Sequence, residues 1–338
     1  MQQEKQIRLT SAEIAQLWSQ YLNDSAIMCM LSYFLEKVED GEIKPIIEYA
    51  LQLSNTHLQK ISEMLTEEKN IVPQGFRQED NVDVTAPRLF SDTYVLHLIH
   101  QMSKIGLTAY ANSLSLSVRQ DITDHYKQCM SEIMKLYEMS KNMLLEKGLY
   151  VRSPYFPNLE HVDFVVKQSF IIDFFGEKRP LSALEVSNLY ANSQRNALGI
   201  ATLIGFSQVA KSKEVTQYFL KGIEIAQKHI ELFDQKLKQE HLPVSVPLEA
   251  EVTNTTAYVF SEKLMMYFVS TLISIGLGFY GTAISQSPRL DLGVMYNKML
   301  VEIQFYSEDG ANIMIKNKWL EQPPLASNRK DLAKKNFE

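Results

Sequence analysis

Hydrophobic positions recur along the chain with the period of an α-helix. In the first periodic segment, apolar residues lie three and four positions apart from Leu17 to Val38. This spacing places them on one face of a helix. Prolines fall mainly between such segments, where one helix ends and the next begins. The pattern predicts an all-α protein with helices at residues 10–39, 45–67, 91–117, 121–148, 182–211, 214–240, 261–286 and 291–319.

The second half of the chain repeats the first. Residues 9–14 align with residues 181–186 at an offset of 172, and Phe90 aligns with Phe260 at an offset of 170. Many matches in the same order indicate two copies of one structural unit. We assign residues 1–150 to the first four-helix copy, 151–180 to a linker, 181–324 to the second copy and 325–338 to a disordered tail.

The connections within each copy predict how its four helices pack. Short turns join the first helix to the second and the third to the fourth. A long segment separates the second helix from the third, at residues 70–89 and again at 242–259. About twenty extended residues can cross the full length of a bundle. Two hairpins and one long crossover predict a ferritin-like four-helix bundle in each tandem copy.

One motif predicts where the first helix of each copy begins. Thr10 is followed three residues later by Glu13, and Ser182 is followed in the same way by Glu185. This spacing forms a capping box, in which each side chain accepts a hydrogen bond from the other residue's backbone N–H. These four residues are therefore predicted to be structural caps.

A second motif precedes the last helix of each copy. It reads Arg119-x-Asp121 in the first copy and Arg289-x-Asp291 in the second. We predict that Asp121 and Asp291 are N-caps that accept free backbone N–H groups, and that each arginine pairs with a neighbouring carboxylate.

The composition argues against several classes of partner. The net charge is −6, and basic residues form no stripe interleaved with aromatic residues, so no nucleic-acid partner is expected. Cys29 and Cys129 belong to no paired motif, and we expect both to be reduced core residues of a cytoplasmic protein. The polar N-terminus leads directly into a helix, which does not resemble a signal peptide.

One segment is apolar enough to raise the question of a membrane. Residues 264–286 contain no charged side chain and are long enough to span a bilayer. The equivalent stretch of the first copy carries His97, His100 and Lys104. We therefore predict a buried helix of a soluble protein, with no membrane partner.

The linker and two further motifs carry a family resemblance. Residues 174–181 resemble the tandem bundle family of spore-forming bacilli catalogued as domain of unknown function 3231. A Pro-x-Gly-Phe motif at 73–76 and a Lys-Ile-Gly-Leu motif at 104–107 are similar to the same family. The resemblance covers nearly all of residues 9–324. It implies a ferritin-like fold and an association with the spore, but no established activity and no catalytic residue.

Five polar residues on the helices are candidate metal ligands. Asp24 on the first helix, His57 on the second and Glu132 on the fourth are predicted to lie at one level near the middle of the bundle. His229 and Glu302 occupy the matching positions of the second copy. Carboxylates and imidazoles at one level are typical of a bundle metal site, for which iron or manganese is the candidate ion.

A structural role for the same residues is the favoured interpretation. Ferritin-like di-metal sites use a Glu-x-x-His motif twice, and neither His57 nor His229 has a Glu three residues before it. A buried hydrogen bond from His57 to Asp24, and one from His229 to Asn196, would fix the helix register. On this interpretation, no cofactor is bound.

Two functions therefore remain open. The favoured one is a non-enzymatic structural or interaction protein of a spore-forming bacterium, cytoplasmic or spore-associated, with an unidentified protein partner. The alternative is a ferritin-like metal-binding protein with a site in the middle of the bundle. His97 and His100 also lie three residues apart, but the second copy lacks both histidines.

Overall fold

Helices joined by turns and long crossing segments make up the computed structural model, which describes residues 7–171 and 178–334. The first half contains α1 (Ser11–Lys37), α2 (Lys44–Glu67), α3 (Gln78–Asn81), α4 (Asp92–Leu116) and α5 (Gln120–Glu146). The second half contains α6 (Ala183–Val209), α7 (Lys213–Gln239), α8 (Glu262–Gln286), α9 (Leu290–Lys316) and the terminal α10 (Arg329–Lys334). Within the described ranges, β-type pairing is confined to two isolated bridges. The predicted all-α fold is confirmed.

Equivalent helices of the two halves have nearly the same lengths. Helices α1 and α6 have 27 residues each, α4 and α8 have 25, and α5 and α9 have 27. Helix α7 has 27 residues where α2 has 24, and it begins one turn earlier relative to the shared histidine. The predicted tandem organisation is therefore present in the structure.

The four long helices of each half pack as two hairpins. Helix α1 packs along α2, and α4 packs along α5; further contacts of α1 with α4 and of α2 with α5 bring the hairpins together. The second half repeats this arrangement with α6, α7, α8 and α9. The candidate site residues lie near the middle of these helices, in the interior between the two hairpins.

Glu13 caps two helices at once. Its Oε2 accepts hydrogen bonds from the backbone N–H and the hydroxyl of Thr10, at 2.8 and 2.9 Å, which closes the predicted capping box of α1. Its Oε1 accepts hydrogen bonds from the backbone N–H groups of Val118 and Arg119, at 3.0 and 2.9 Å, just before α5. The first N–H groups of a helix have no partner within the helix, so a carboxylate there is strongly bound.

Glu185 repeats this arrangement in the second half with one addition. It closes the capping box of α6 with Ser182 and accepts a hydrogen bond from the backbone N–H of Arg289 at 3.1 Å. Arg179 from the linker also donates to both of its carboxylate oxygens at 2.8 Å. Glu13 and Glu185 are at most 1% exposed, so both charges depend on these donors.

Asp121 and Asp291 are not the N-caps predicted from the sequence. The N-cap positions are Arg119 and Arg289, and each aspartate lies in the first turn of its helix. Each aspartate instead pairs through both oxygens with the arginine two residues earlier. The predicted pairing of each arginine with a neighbouring carboxylate is therefore present, while the predicted N-cap role of the aspartates is wrong.

The crossover segments join the two halves around a pseudo-twofold axis. Val82 pairs with Phe260, and Phe90 pairs with Val252. The second pair consists of the repeat equivalents of the first, because 82 and 252, like 90 and 260, differ by 170. One hydrophobic core runs across this contact and includes buried residues of both halves.

The segments outside the bundles have two features that their sequence alone does not suggest. Large apolar side chains are usually buried, but Val162, Phe164 and Val166 of the linker are 80–85% exposed. The short helix α10 lies within the tail that was predicted to be disordered. Residues 174–177 of the linker motif, like residues 335–338 of the tail, lie outside the described residues.

Helix α8 is less buried than its composition predicts. Among the described helices it is the one long and apolar enough to cross a membrane, although core helices of soluble proteins share these properties. Only 33% of its most apolar window is buried. Residues 264–269 are largely buried, whereas Ser274, Gly278 and Thr282 lie on an exposed face of small and polar residues. The absence of a membrane partner stays a prediction.

Replacing Glu13 with Gln should lower the free energy of unfolding by roughly 1–3 kcal/mol, because an amide cannot accept at both ends and leaves buried N–H groups without a partner. Urea unfolding of Glu13→Gln, with the exposed Glu138→Gln as control, measures this loss.

Burial alone would raise the pKa of Glu13, but the backbone N–H groups outweigh it and lower the pKa. The stability that Glu13 contributes is therefore present above about pH 4.5 and lost as the pH falls through its folded pKa. Equal stability of the two variants would contradict this role.

Candidate metal centre

Three side chains from two helices converge in the middle of the first half. His57 projects from α2, while Cys129 and Glu132 project from α5. The Nε2 atom of His57 lies 2.8 Å from Glu132 Oε2 and 3.5 Å from Cys129 Sγ. The three possible ligand atoms all lie within 4.8 Å of one another. His57 and Cys129 are buried, and the Glu132 side chain is 20% exposed.

Helix α5 positions its polar residues by simple helical spacing. Residues 125, 129 and 132 are separated by four and three positions, so they lie on one face of the helix. The His125 Nε2 atom lies 3.6 Å from Cys129 Sγ, although His125 is not part of the group of three. Gln20 of α1 holds this face in place, since it contacts both His125 and Cys129.

Asp24 lies on the opposite side of the His57 ring from the other two groups. Its Oδ2 atom is 3.4 Å from His57 Nδ1, and the orientation does not form a regular hydrogen bond, so both buried atoms lack such a partner. A metal-ligating histidine commonly presents its second ring nitrogen to a carboxylate, which fixes the ring's tautomer and orientation. Asp24 therefore occupies the place of an orienting group rather than that of a ligand.

The charges around His57 favour its protonated form in the absence of a metal. Burial alone would lower the pKa of His57, but Asp24 and Cys129 outweigh burial and raise it to about 11. Burial also raises the pKa of Asp24, against the opposing effect of His57. A cation at this point would be stabilised in the same way, whether it is a proton or a metal ion.

The nitrogen, sulfur and oxygen donors together fit a small divalent ion that accepts mixed ligands better than an ion that prefers oxygen ligands alone. Bonds of about 2.0–2.3 Å to nitrogen, sulfur and oxygen place tetrahedral ligand atoms roughly 3.4 Å apart. The 3.5 Å between His57 Nε2 and Cys129 Sγ matches that separation. The 2.8 Å between His57 and Glu132 is a hydrogen-bond distance, so Glu132 would move outward by a fraction of an ångström to bind a metal.

The second half lacks most of these metal-binding groups. His229 Nε2 lies 3.1 Å from Glu302 Oε2, as in the first half. Met295 and Met299 occupy the positions equivalent to His125 and Cys129, at the offset of 170. Lys228 neutralises Glu302 at 2.7 Å. His229 and Glu302 are thus brought together without a third ligand of the kind found in the first half.

The predicted contact between His229 and Asn196 is wrong. The hydroxyl of Tyr280 lies between them, 3.0 Å from His229 Nδ1 and 3.0 Å from Asn196 Nδ2. The Asn196 amide donates to this hydroxyl, which leaves the hydroxyl hydrogen for His229 Nδ1. Burial lowers the pKa of His229, consistent with a neutral ring. Both histidines are nevertheless inside their bundles, as predicted, at 4% and 1% exposure.

The family described as "Protein of unknown function (DUF3231)" matches the chain twice, over residues 1–162 and 169–332. The chain belongs to this family. The two matches agree with the internal repeat and confirm the resemblance seen in the sequence. No curated protein matches the chain at a significant level.

One solved structure is similar to part of this chain. It is described as a "putative spore coat protein" from Bacillus halodurans C-125, shares 17% identity and covers 46% of this chain and 99% of its own. The TM-score is 0.40, so this likeness supports no conclusion about function.

Sequence reasoning on this DUF3231 protein found Asp24, His57 and Glu132 but missed the thiol. Cys129 was interpreted as a core residue because no second cysteine accompanies it. The signal that could have identified it is the one-face spacing of His125, Cys129 and Glu132. His97 and His100 do not contribute: burial lowers the pKa of His100 to about 3, and its Nδ1 lies 3.1 Å from the hydroxyl of Ser140.

In metal-depleted protein, we expect His57 to keep its proton to higher pH than His229. Carboxylates face both ring nitrogens of His57, whereas burial lowers the pKa of His229. Histidine NMR titration measures the order, with His57→Gln and His229→Gln assigning the two signals. The opposite order would show that Asp24 and Glu132 do not act together on His57.

Proposed function

We propose that this protein binds one divalent metal ion per chain in its first half, with zinc as the best-fitting ion. The observation that carries the proposal is the convergence of an imidazole, a thiol and a carboxylate within 4.8 Å. Nitrogen, sulfur and oxygen donors together suit zinc, whereas sites for harder ions such as manganese have mainly oxygen ligands. This proposal develops the metal-binding alternative and shifts the expected ion from iron or manganese to zinc.

The surroundings of the three donors support the proposal. Asp24 faces the second nitrogen of His57, and Gln20 contacts Cys129 and His125, so two of the three donors are positioned by a further polar side chain. Glu132 is partly exposed, and its Oε1 accepts a hydrogen bond from Gln128. An ion could therefore reach the buried donors from solvent past this side chain. His125 or a water molecule would complete four-fold coordination.

The proposed role of the ion is to hold α2 and α5 together. His57 belongs to one helix and Cys129 and Glu132 to the other, so a bound ion links two helices from different hairpins. Metal ligands must be deprotonated, and binding would therefore displace the proton from His57. The proposal concerns binding and stability, and it assigns no catalytic residue.

Protein purified without an affinity tag from zinc-supplemented cells should contain about one zinc per chain by elemental analysis. His57→Leu and Cys129→Ser should each lose most of the bound zinc, because only two of the three protein ligands remain in either variant. His229→Leu and Glu302→Gln are the matched controls in the second half and should keep the full content. Binding should weaken as the pH falls, because protons compete for the ligands.

Cobalt substitution tests the thiol separately. The cobalt-loaded protein should show a thiolate-to-metal absorption band that Cys129→Ser removes. Metal-free wild-type protein after supplementation with zinc, iron and manganese would overturn the proposal. Equal metal loss from the first-half variants and their second-half controls would do the same.

A second candidate is the interaction role favoured by the sequence. The exposed linker strip, which we define as Leu159, Val162, Phe164 and Val166, presents large apolar side chains that are 80–90% exposed. Large apolar side chains concentrated on an exposed segment often mark a protein–protein contact. We propose this strip as the contact surface for the expected protein partner; association with the spore remains an expectation.

Replacing Val162, Phe164 and Val166 with serine should abolish recovery of a partner by crosslinking in the native cells. Circular dichroism should be unchanged, because these side chains are outside the bundles. A matched triple variant of exposed polar positions on α2, at Asn55, Gln59 and Glu63, should leave recovery intact. Unchanged crosslinking by the linker variant would rule out the strip as the contact surface.

A further inference from the structure

Two apolar cavities adjoin between the halves of the molecule. The larger has a volume of about 220 Å³ and is lined mainly by the first half, with the middle of α8 as one wall. The smaller has a volume of about 130 Å³ and is lined mainly by the second half, with the middle of α4 as one wall. Ile105, Leu272 and Ile275 line both cavities, so they meet where α4 passes α8.

The smaller cavity contains a cation without a counter-ion. Arg195 of α6 lines it, and its guanidinium stacks on the ring of Phe279 at 3.7 Å. One guanidinium nitrogen donates to Asn192 Oδ1 at 2.7 Å, and over residues 7–171 and 178–334 no carboxylate pairs with Arg195. Burial lowers the pKa of Arg195 to about 10. A cation in apolar surroundings is unfavourable unless an anion accompanies it.

A further donor lies on the wall that α4 contributes. The Nε2 atom of Gln101, which lines the same cavity, is buried and has no hydrogen-bond partner. A guanidinium and an amide N–H group therefore line one cavity in which no carboxylate of the described residues pairs with the cation.

This donor cluster is not a property of the repeat. Asn23 occupies the position equivalent to Arg195 at the offset of 172, and Ala109 occupies that of Phe279 at the offset of 170. Asn23 already has a partner, because the hydroxyl of Tyr267 donates to its Oδ1 at 2.9 Å. The cation belongs to the second half alone, and common packing does not explain it.

We propose that the two adjoining cavities bind a medium-chain fatty acid, with the carboxylate on Arg195 and Gln101 in the smaller cavity and the aliphatic chain passing Ile105, Leu272 and Ile275 into the larger one. A planar guanidinium can donate two parallel hydrogen bonds to a carboxylate. Ligand cavities typically combine apolar walls with a few polar groups that fix orientation. The proposal is independent of the metal site.

Isothermal titration calorimetry compares the affinities of sodium decanoate and decan-1-ol. Because the two probes have the same aliphatic chain, the difference in affinity reports on the headgroup. Decanoate should bind at least about tenfold more tightly than the alcohol, the usual effect of a charge-assisted hydrogen bond. Equal affinities would overturn the proposal. Decyl phosphate is the third probe, and tighter binding of it than of decanoate would overturn the assignment of the headgroup to a carboxylate.

Substitution of the cation provides the second test. Arg195→Met should reduce decanoate affinity by about tenfold or more and leave decan-1-ol affinity nearly unchanged. Asn23→Met, the same change at the equivalent position of the first half, should keep the preference for the carboxylate. Arg195→Lys should restore part of it. A full preference in Arg195→Met would overturn the proposal.

Filling the cavity tests the tail. Gly276 lines the smaller cavity, whereas Gly278 lies on the exposed face of the same helix, and a Cβ added at either would meet no atom within 4 Å. Gly276→Leu should abolish binding of decanoate and decan-1-ol, and Gly278→Leu should not. Decanoate should also raise the melting temperature of wild-type protein but not that of Gly276→Leu. Binding by both glycine variants, or by neither, would place the ligand elsewhere and overturn the proposal.

Discussion

Each half of the molecule depends on one buried carboxylate that caps two helices at once. The first N–H groups of a helix must find acceptors outside the helix, and Glu13 supplies acceptors for both α1 and α5. Because α1 and α5 come from different hairpins, this contact sets how far one hairpin slides along the other. The position along the helices at which His57 meets Glu132 follows from this offset between the hairpins. Glu185 performs the same task in the second half and recruits Arg179 of the linker.

The repeat has kept this framework while its two interiors have diverged. The first half holds the thiol of Cys129 beside His57 and Glu132. The second half has methionine in place of the thiol, and a tyrosine hydroxyl joins its histidine to Asn196. It also places a cation, Arg195, in a cavity where the first half has a neutral amide. One scaffold thus supports two different interiors, because capping and core packing constrain the helices more strongly than the few polar positions inside them.

The paired crossover segments explain why the two halves share one of their hydrophobic cores. Val82 and Phe90 each pair with a residue of the other half, and apolar side chains of both halves pack together beneath them. Both cavities have α4 of the first half and α8 of the second half as shared walls. A separate copy of either half would expose this apolar surface to water, at a cost of about 25 cal/mol per Å².

The sequence by itself determined the all-α class, the repeat and the capping boxes, because helical periodicity and capping are local and recur at fixed spacing. It also located His57 and Glu132 at one level, since helix rise is constant. Only the tertiary structure showed that Glu13 of α1 also accepts hydrogen bonds at the start of α5, that Tyr280 separates His229 from Asn196, and that Cys129 joins His57. Each of these depends on side chains from helices far apart in the chain, and the spacing within one helix carries no information about its neighbour's rotation.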